Sequence, residues 1–117
     1  MKNLLKQKKI LFDGDEENFH TMSSKIKCFN CSGTIEIDSS RFFSISKITD
    51  KKNLELVSEV KGIKSTNVGD KIFYKYEYLP VVSADVSCDS CKKIYKAILG
   101  AGEYQPARYM AVLGGIF

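Results

Sequence analysis

The four cysteines of this 117-residue chain form two pairs with the same spacing. Cys28 and Cys31 lie in the stretch KCFNCSG, and Cys88 and Cys91 lie in SCDSCKK. In a tight turn with this spacing both sulfurs face one point, because backbone N–H groups of the turn hydrogen-bond the thiolates. Two such turns supply the four ligands of a tetrahedral site, and thiolates favour zinc or iron over harder cations. The pattern therefore predicts one shared structural zinc site, with zinc versus iron left open.

Redox chemistry and disulfide bonds are the alternatives for paired cysteines. A thioredoxin-like motif needs one pair at the start of a helix that follows a strand, whereas each of the two pairs here precedes a strand-like run. Disulfides are disfavoured because we expect a cytoplasmic protein, in which thiols stay reduced. The N-terminal apolar stretches are too short for a signal peptide, and no run approaches the roughly 18 apolar residues that span a bilayer. No membrane partner is predicted.

A zinc ion held by four thiolates has a folding role rather than a catalytic one. It has no open coordination position and cannot activate water. Its binding free energy, on the order of 10 kcal/mol, instead stabilises the fold. Outside the cysteines, His20 is the only histidine, and no phosphate-binding or dinucleotide-binding glycine motif is present. We therefore expect no enzymatic activity and no small-molecule substrate.

The rest of the chain is dominated by a period of two, which is typical of antiparallel strands. Alternation of apolar and polar residues is clear in TIEID, KIFYKYEY and VVSADVS. Further strands are predicted around Phe43 and Ile45, Leu54 and Leu56, and Ile94–Leu99. Val60–Asp70 is the clearest predicted loop, because its two glycines flank a Ser-Thr-Asn run. The segment from Pro106 onward fits a helix, and it fits a last strand almost as well, so its structure is left open.

The N-terminal segment has a different pattern. Leu4, Leu5, Leu11 and Phe12 share one helical face, which predicts a short helix over Met1–Phe12, followed by a turn in the acidic stretch DGDEEN. The predicted organisation is an N-terminal helix or flexible arm at residues 1–20 and a single zinc-stapled domain at residues 21–117. The fold class is mostly β (small α+β), with an antiparallel sheet fastened by the four cysteines.

Residues 25–99 resemble two-knuckle zinc-binding β-proteins. These are the zinc ribbons and, given the long insert between the cysteine pairs, the β-tent group, which includes the yippee proteins and the B-type methionine sulfoxide reductases. The stretch VSADVSCDSCKKIY is similar to the second knuckle of such folds, in which one strand enters the turn and another leaves it. The resemblance implies a zinc-stapled β fold. It does not extend to the reductase chemistry, because those enzymes use a further cysteine as nucleophile.

The stretch GEYQPARY is the most unusual polar segment. Tyr104, Arg108 and Tyr109 are candidate interface anchors within it, because Tyr and Arg are enriched at the centres of protein interfaces. The favoured alternative is structural. In that interpretation Arg108 pairs with Glu103 inside the fold and fixes the C-terminal segment against the sheet.

The stretch KIFYKYEY interleaves basic and aromatic residues, as do surfaces that bind single-stranded nucleic acids. Lys71, Phe73 and Lys75 share one face of it and are candidate interface residues. The favoured alternative is an ordinary strand, with its tyrosine face packed and its charged face in water. The nucleic-acid interpretation gains if these three side chains face solvent together with the lysines of Lys92–Lys96.

Without a catalytic set, binding is the predicted function. We expect a non-catalytic, zinc-stabilised protein-binding module, with the immunity proteins that neutralise bacterial toxins as an analogy of class. The alternative is a nucleic-acid-binding zinc ribbon that acts in transcription or RNA handling. The net charge of +4 is spread thinly along the chain, so it permits a polyanionic partner without requiring one.

Overall fold

The computed structural model describes residues 2–45 and 51–117. The strands are β1 (Lys9–Gly14), β2 (Ser23–Lys27), β3 (Thr34–Asp38), β4 (Phe43–Ser44), β5 (Lys64–Val68), β6 (Lys71–Tyr76), β7 (Leu79–Ser87), β8 (Ile94–Gln105) and β9 (Arg108–Ile116). The helices within the described residues are α1 (Glu16–His20) and α2 (Lys51–Ser58), and a 3-10 turn spans Ser39–Arg41. Each strand pairing among these residues is antiparallel. The predicted mostly-β antiparallel fold is confirmed.

Three consecutive long strands form the centre of the main sheet. β8 pairs with β7 from Gly100 opposite Val81 to Ile94 opposite Ser87, and its other edge pairs with β9. The strand order is β1-β9-β8-β7-β6-β5, with β4 also pairing with β7, and β2 and β3 form a separate hairpin. The two cysteine turns are the β2–β3 and β7–β8 connections. Both cysteine pairs therefore lie at strand ends.

Alternation along the central strands sends side chains into two cores. One core joins the sheet to the β2–β3 hairpin and α1, and it includes Phe19, Ile26, Ile35, Ile37, Ala84, Val86, Tyr95 and Leu99. The other core lies under α2 and β6, and it includes Leu56, Val57, Val60, Tyr76, Leu79, Val81, Ile98 and Val112. Full burial of one such aliphatic side chain contributes about 1.5–3 kcal/mol. The β2–β3 hairpin is therefore attached to the sheet by apolar packing as well as by its cysteines.

A short helix near the N-terminus is confirmed, but its predicted position at Met1–Phe12 is wrong. The helix is Glu16–His20, where the Asp15 carboxylate accepts a hydrogen bond from the Asn18 N–H at 3.1 Å. Within the range predicted to be helical, Met1 lies outside the described residues and Lys9–Gly14 pairs with β9 as a strand. An isolated helix of about three turns is marginal in water, and the free edge of β9 offers backbone partners to Lys9–Gly14. Tertiary pairing therefore overrides the short helical pattern.

Two further sequence expectations are corrected. Leu54 and Leu56 lie in α2 rather than in a strand, because Leu56, Val57 and Val60 follow a helical spacing into the second core. The predicted loop Val60–Asp70 contains β5, which pairs with β6 along its five residues. The C-terminal segment, left open above, is strand β9. No helix in the described parts of the chain is long and apolar enough to cross a membrane.

Candidate metal centre

The four cysteine sulfurs converge on one point. All four Sγ atoms lie within 4.8 Å of one another. The Sγ atoms of Cys28 and Cys91 are 3.8 Å apart, and those of Cys31 and Cys88 are 3.5 Å apart. Ligands at about 2.3 Å from a tetrahedral zinc ion are about 3.8 Å from each other. The prediction of one shared cluster is confirmed, and the free thiols match a four-sulfur metal site in number and spacing.

The first cysteine turn connects β2 to β3 and is organised by its own backbone. The Cys28 N–H donates to the Gly33 carbonyl at 3.0 Å and closes the turn. The N–H groups of Asn30 and Gly33 donate to the sulfurs of Cys28 and Cys31 at 3.3 and 3.2 Å. Position 33 also has no room for a side chain, because a Cβ there would lie 2.6 Å from the Cys88 sulfur. Gly33, which follows the first cysteine pair by two positions, is therefore required for a steric reason.

The second cysteine turn connects β7 to β8 in the same way. The Cys88 N–H donates to the Lys93 carbonyl at 3.0 Å, and the Ser90 N–H donates to the Cys88 sulfur at 3.4 Å. Lys92 has a positive φ of 63°, which completes the reversal of the chain. The pKa of Cys91 is lowered chiefly by a hydrogen bond from the Lys93 backbone. Both turns thus direct backbone N–H groups at their sulfurs.

The two turns are also bound to each other through hydrogen bonds that do not involve sulfur. The Thr34 N–H donates to the Asp89 carboxylate at 2.9 Å, and the Asp89 N–H donates to the Thr34 carbonyl at 2.9 Å. The first of these bonds holds the pKa of Asp89 below its ordinary value. Ile35 and Cys88 form an isolated bridge beside them. These contacts preorganise the four sulfurs for a common ion.

A buried tyrosine hydroxyl contacts the cluster. The Tyr95 Oη is 3.3 Å from the Cys28 sulfur, and the residue is only 2% exposed. This hydrogen bond is the largest cause lowering the pKa of Cys28 to about 6, and it raises the pKa of Tyr95 to about 12. For Cys31, the Gly33 N–H lowers the pKa, but the neighbouring thiols and burial outweigh it and raise the pKa to about 11. Four thiols this close ionise together only when a cation compensates their charge.

Tyr95 and Asp89 are site residues that the sequence interpretation missed. Asp89 lies inside the second cysteine pair, and Tyr95, four positions after Cys91, has the alternating position of an inward-facing strand residue, which is the signal that was available. Its contact with Cys28, 67 positions away, depends on how the β2–β3 hairpin packs on the sheet. Local sequence carries no information on that packing.

The candidate anchors of GEYQPARY contact the N-terminal elements. Arg108 Nη2 lies 3.1 Å from the Asp13 carboxylate, and Tyr104 Oη donates to the same oxygen at 2.8 Å. The expected Arg108–Glu103 pair is not formed, because Glu103 accepts the Ala107 N–H at 3.3 Å instead. The Tyr109 ring lies 5.1 Å from the ring of Phe19, centroid to centroid. These contacts fasten β1 and α1 to β9, and a role in recognition stays a prediction.

The second candidate surface lies on the β5–β6 hairpin. Lys71, Phe73 and Lys75 share one of its faces, and the Phe73 side chain is 38% exposed. The strand register places Lys64 directly opposite Lys75. Two of the lysines of Lys92–Lys96 have polar partners of their own. The Lys92 ammonium donates to the Asp89 carbonyl at 2.8 Å, and that of Lys96 pairs with Asp85 at 2.7 Å.

Comparison with family models, with curated proteins and with solved structures found no match to this chain. The similarity to two-knuckle zinc proteins therefore rests on the spacing and convergence of the four cysteines. Together, fold and site define a mostly β protein in which two cysteine turns form one cluster able to hold a metal ion.

Proposed function

We propose that this chain is a zinc-binding protein whose metal is structural and whose function is non-catalytic binding to a protein partner. The observation that carries the proposal is the convergence of four thiols within 4.8 Å. Four thiolates complete the tetrahedral coordination that zinc adopts in structural sites, so the ion retains no position for water or substrate. The remaining neighbours of the sulfurs include hydrogen-bond donors such as Asn30 and Tyr95, which stabilise thiolates, and the Asp89 carboxylate, which is 3.9 Å from the Cys88 sulfur and accepts the Thr34 N–H.

The proposed role of the metal is to fasten two parts of the fold. Cys31 and Cys88 are 57 positions apart and belong to the β2–β3 hairpin and the main sheet respectively. Zinc bound to such a site contributes on the order of 10 kcal/mol, comparable to the whole free energy of unfolding of a small domain. The product is a rigid sheet surface of the kind that binds a partner without changing shape.

An immunity protein is one specific form that this function takes. Such proteins act by covering a toxin domain, which requires a rigid surface and no chemistry. The double-cored sheet supports the first requirement, and four thiols that would occupy every position of a tetrahedral ion support the second. Coexpression with a candidate toxin domain tests this form, since an immunity protein restores growth and forms a complex that survives purification.

Metal analysis tests the zinc assignment, on which the rest of the proposal depends. Freshly purified protein is expected to contain one zinc per chain, and Cys31→Ser and Cys88→Ser are expected to lose it. Asn30→Ala is the matched control, because its amide lies 3.6 Å from the Cys91 sulfur without being a thiol ligand. Cobalt-substituted protein should show the visible spectrum of tetrahedral thiolate coordination. Protein purified without metal, or with an iron chromophore, would contradict the zinc assignment.

A nucleic-acid-binding function is the second candidate, and one observation on the β5–β6 hairpin favours it. Lys64 and Lys75 are a directly opposed cross-strand pair of like charge, which is destabilising unless an anion lies between them. Phe73 lies beside them on the same exposed face and offers a stacking surface. Binding of a single-stranded oligonucleotide should then fall steeply with salt and weaken in Lys64→Ala and Lys75→Ala. No binding at low salt would reject this candidate.

A further inference from the structure

We propose that a groove beside the first cysteine turn receives an acidic segment of the partner protein, which inserts one apolar side chain between flanking carboxylates. This proposal rests on the proposed function and names the chemistry of its partner. The groove has a volume of about 510 Å³ and lies between the N-terminal segment before β1 and the end of β2. That volume falls within the range of pockets that bind a ligand group with few polar contacts.

The floor of the groove is apolar. It is lined by Leu4, Leu5, Ile26 and Phe29. Leu4 and Phe29 keep 37% and 41% of their surface exposed, so they offer apolar area that a partner can bury. An inserted aliphatic or aromatic side chain would be stabilised by the apolar surface that it removes from water.

Both walls of the groove are held in place before any partner binds. On one side, Asn3 anchors the N-terminal segment to β9: its side-chain oxygen accepts the Ile116 N–H at 3.0 Å and its amide donates to the Gly114 carbonyl at 3.1 Å. On the other side, Phe29 lies edge-on to Tyr95 with ring centroids 6.1 Å apart. The groove is therefore preformed, which lowers the entropy lost on binding.

The rim of the groove carries uncompensated positive charge. Lys6, Lys9 and Lys27 line it, and none of the other lining residues within 2–45 and 51–117 is acidic. None of these three lysines has an ion-pair partner within residues 2–45 and 51–117, in contrast to Lys8, whose ammonium pairs with Glu77 at 3.0 Å. Charge complementarity therefore selects carboxylates around the inserted side chain.

The floor chemistry favours a peptide over a nucleic acid. A single strand of nucleic acid binds by stacking its bases on aromatic rings, and Phe29 is the one aromatic residue among those lining the groove. Leu4, Leu5 and Ile26 instead match an aliphatic or aromatic side chain that is buried end-on. Carboxylates on either side of that side chain would then reach the three lysines.

Fluorescence anisotropy with a labelled synthetic peptide tests the proposal on the zinc-loaded 117-residue chain. The probe carries a central phenylalanine flanked on each side by glutamates. We expect saturable binding that weakens about tenfold or more in Lys6→Glu, in Lys27→Glu and in Phe29→Ser. The matched controls are Lys61→Glu and Phe43→Ser, which alter exposed residues outside the groove and should leave the affinity unchanged.

Each outcome decides the proposal. Saturable binding that depends on the groove residues supports it, as do amide chemical shifts that change at residues 4–9 and 26–29. No saturable binding, or equal loss in the controls, overturns it. If single-stranded DNA bound the same residues more tightly than the peptide does, the proposal of a protein partner would be overturned in favour of a nucleic acid.

The test separates this inference from the proposed function, because zinc content is measured on the same samples. Protein that lacks zinc but binds the peptide through Lys6 and Lys27 would overturn the zinc assignment alone. Fully zinc-loaded protein that fails to bind the peptide would overturn the groove proposal alone.

Discussion

Replacing Gly33 by alanine is expected to weaken zinc binding without altering any ligand. A Cβ at position 33 would lie 2.6 Å from the Cys88 sulfur and 2.7 Å from the Ser90 hydroxyl oxygen. Restoring ordinary contact, at 3.4 Å or more, requires a displacement of 3.4 − 2.6 = 0.8 Å for the sulfur. Metal–ligand distances tolerate only about ±0.2 Å. The new methyl group therefore competes directly with the position that Cys88 occupies as a ligand.

The magnitude follows from two effects. Displacement of a ligand by its surroundings typically lowers metal affinity by about 10–100-fold, which corresponds to about 1.4–2.7 kcal/mol. Overpacking of a tight site adds about 1–3 kcal/mol of destabilisation that does not depend on metal. Zinc affinity is measured by competition with a chromophoric chelator, and the free energy of unfolding by denaturant titration with and without zinc.

Gly69→Ala is the matched control for this substitution. Gly69 has a φ of 63° and no atom within 4 Å of a Cβ, so alanine there introduces backbone strain and no steric contact. It should reduce stability by about 1 kcal/mol and leave zinc affinity unchanged. Equal zinc affinity for Gly33→Ala and the unsubstituted chain would refute the steric argument, and with it the placement of Cys88 beside Gly33.

Three other predictions concern the Tyr95 hydroxyl, the release of protons when zinc binds, and the packing of α2 in the second core. Tyr95→Phe removes the hydroxyl 3.3 Å from the Cys28 sulfur, so in metal-free protein the pKa of that thiol should rise from about 6 toward its ordinary value. The pH dependence of alkylation measures this pKa, and an unchanged profile would contradict the contact. The pKa values of Cys28 and Cys31 are about 6 and about 11, so zinc affinity should rise with pH between these values. Calorimetry in buffers of different ionisation enthalpy should detect the protons released on zinc binding, and a pH-independent affinity would argue against thiolate ligands. Leu56→Ala should reduce the free energy of unfolding by about 2–5 kcal/mol, because this side chain is buried in the second core. Leu54→Ala, at a position 38% exposed, should change it far less, and similar losses in the two variants would mean that α2 is misplaced.

The pH prediction has a definite sign. The Cys28 pKa is depressed in the folded, metal-free protein, so the stabilising hydrogen bonds to its thiolate are fully present above the ordinary pKa of 9.0 and are lost as pH falls through about 6. Acidification should therefore weaken both the metal-free fold and its affinity for zinc. The raised pKa of Cys31 acts on the metal in the same direction, because its proton must leave before zinc binds.

The parts of the molecule that could be predicted from sequence are those governed by neighbours along the chain. A cysteine turn is closed by hydrogen bonds within six residues, as from Cys28 to Gly33, so its spacing alone predicts it. Likewise β3 alternates clearly because Ile35 and Ile37 are buried and Glu36 is exposed, and β7 alternates at its end, where Asp85 and Ser87 are exposed and Val86 is buried. These local rules were enough for the mostly-β class and for the four-sulfur cluster.

Tertiary structure decided everything that depends on distant partners. β5 contains only polar residues and one valine, and it is a strand because β6 pairs with it. Lys9–Gly14 is a strand because β9 presents a free edge nearly a hundred positions later. The same holds for Arg108, whose partner is Asp13 rather than its neighbour Glu103. A short segment has nearly the same intrinsic free energy as a helix, a strand or a loop, so long-range pairing and packing determine which one forms.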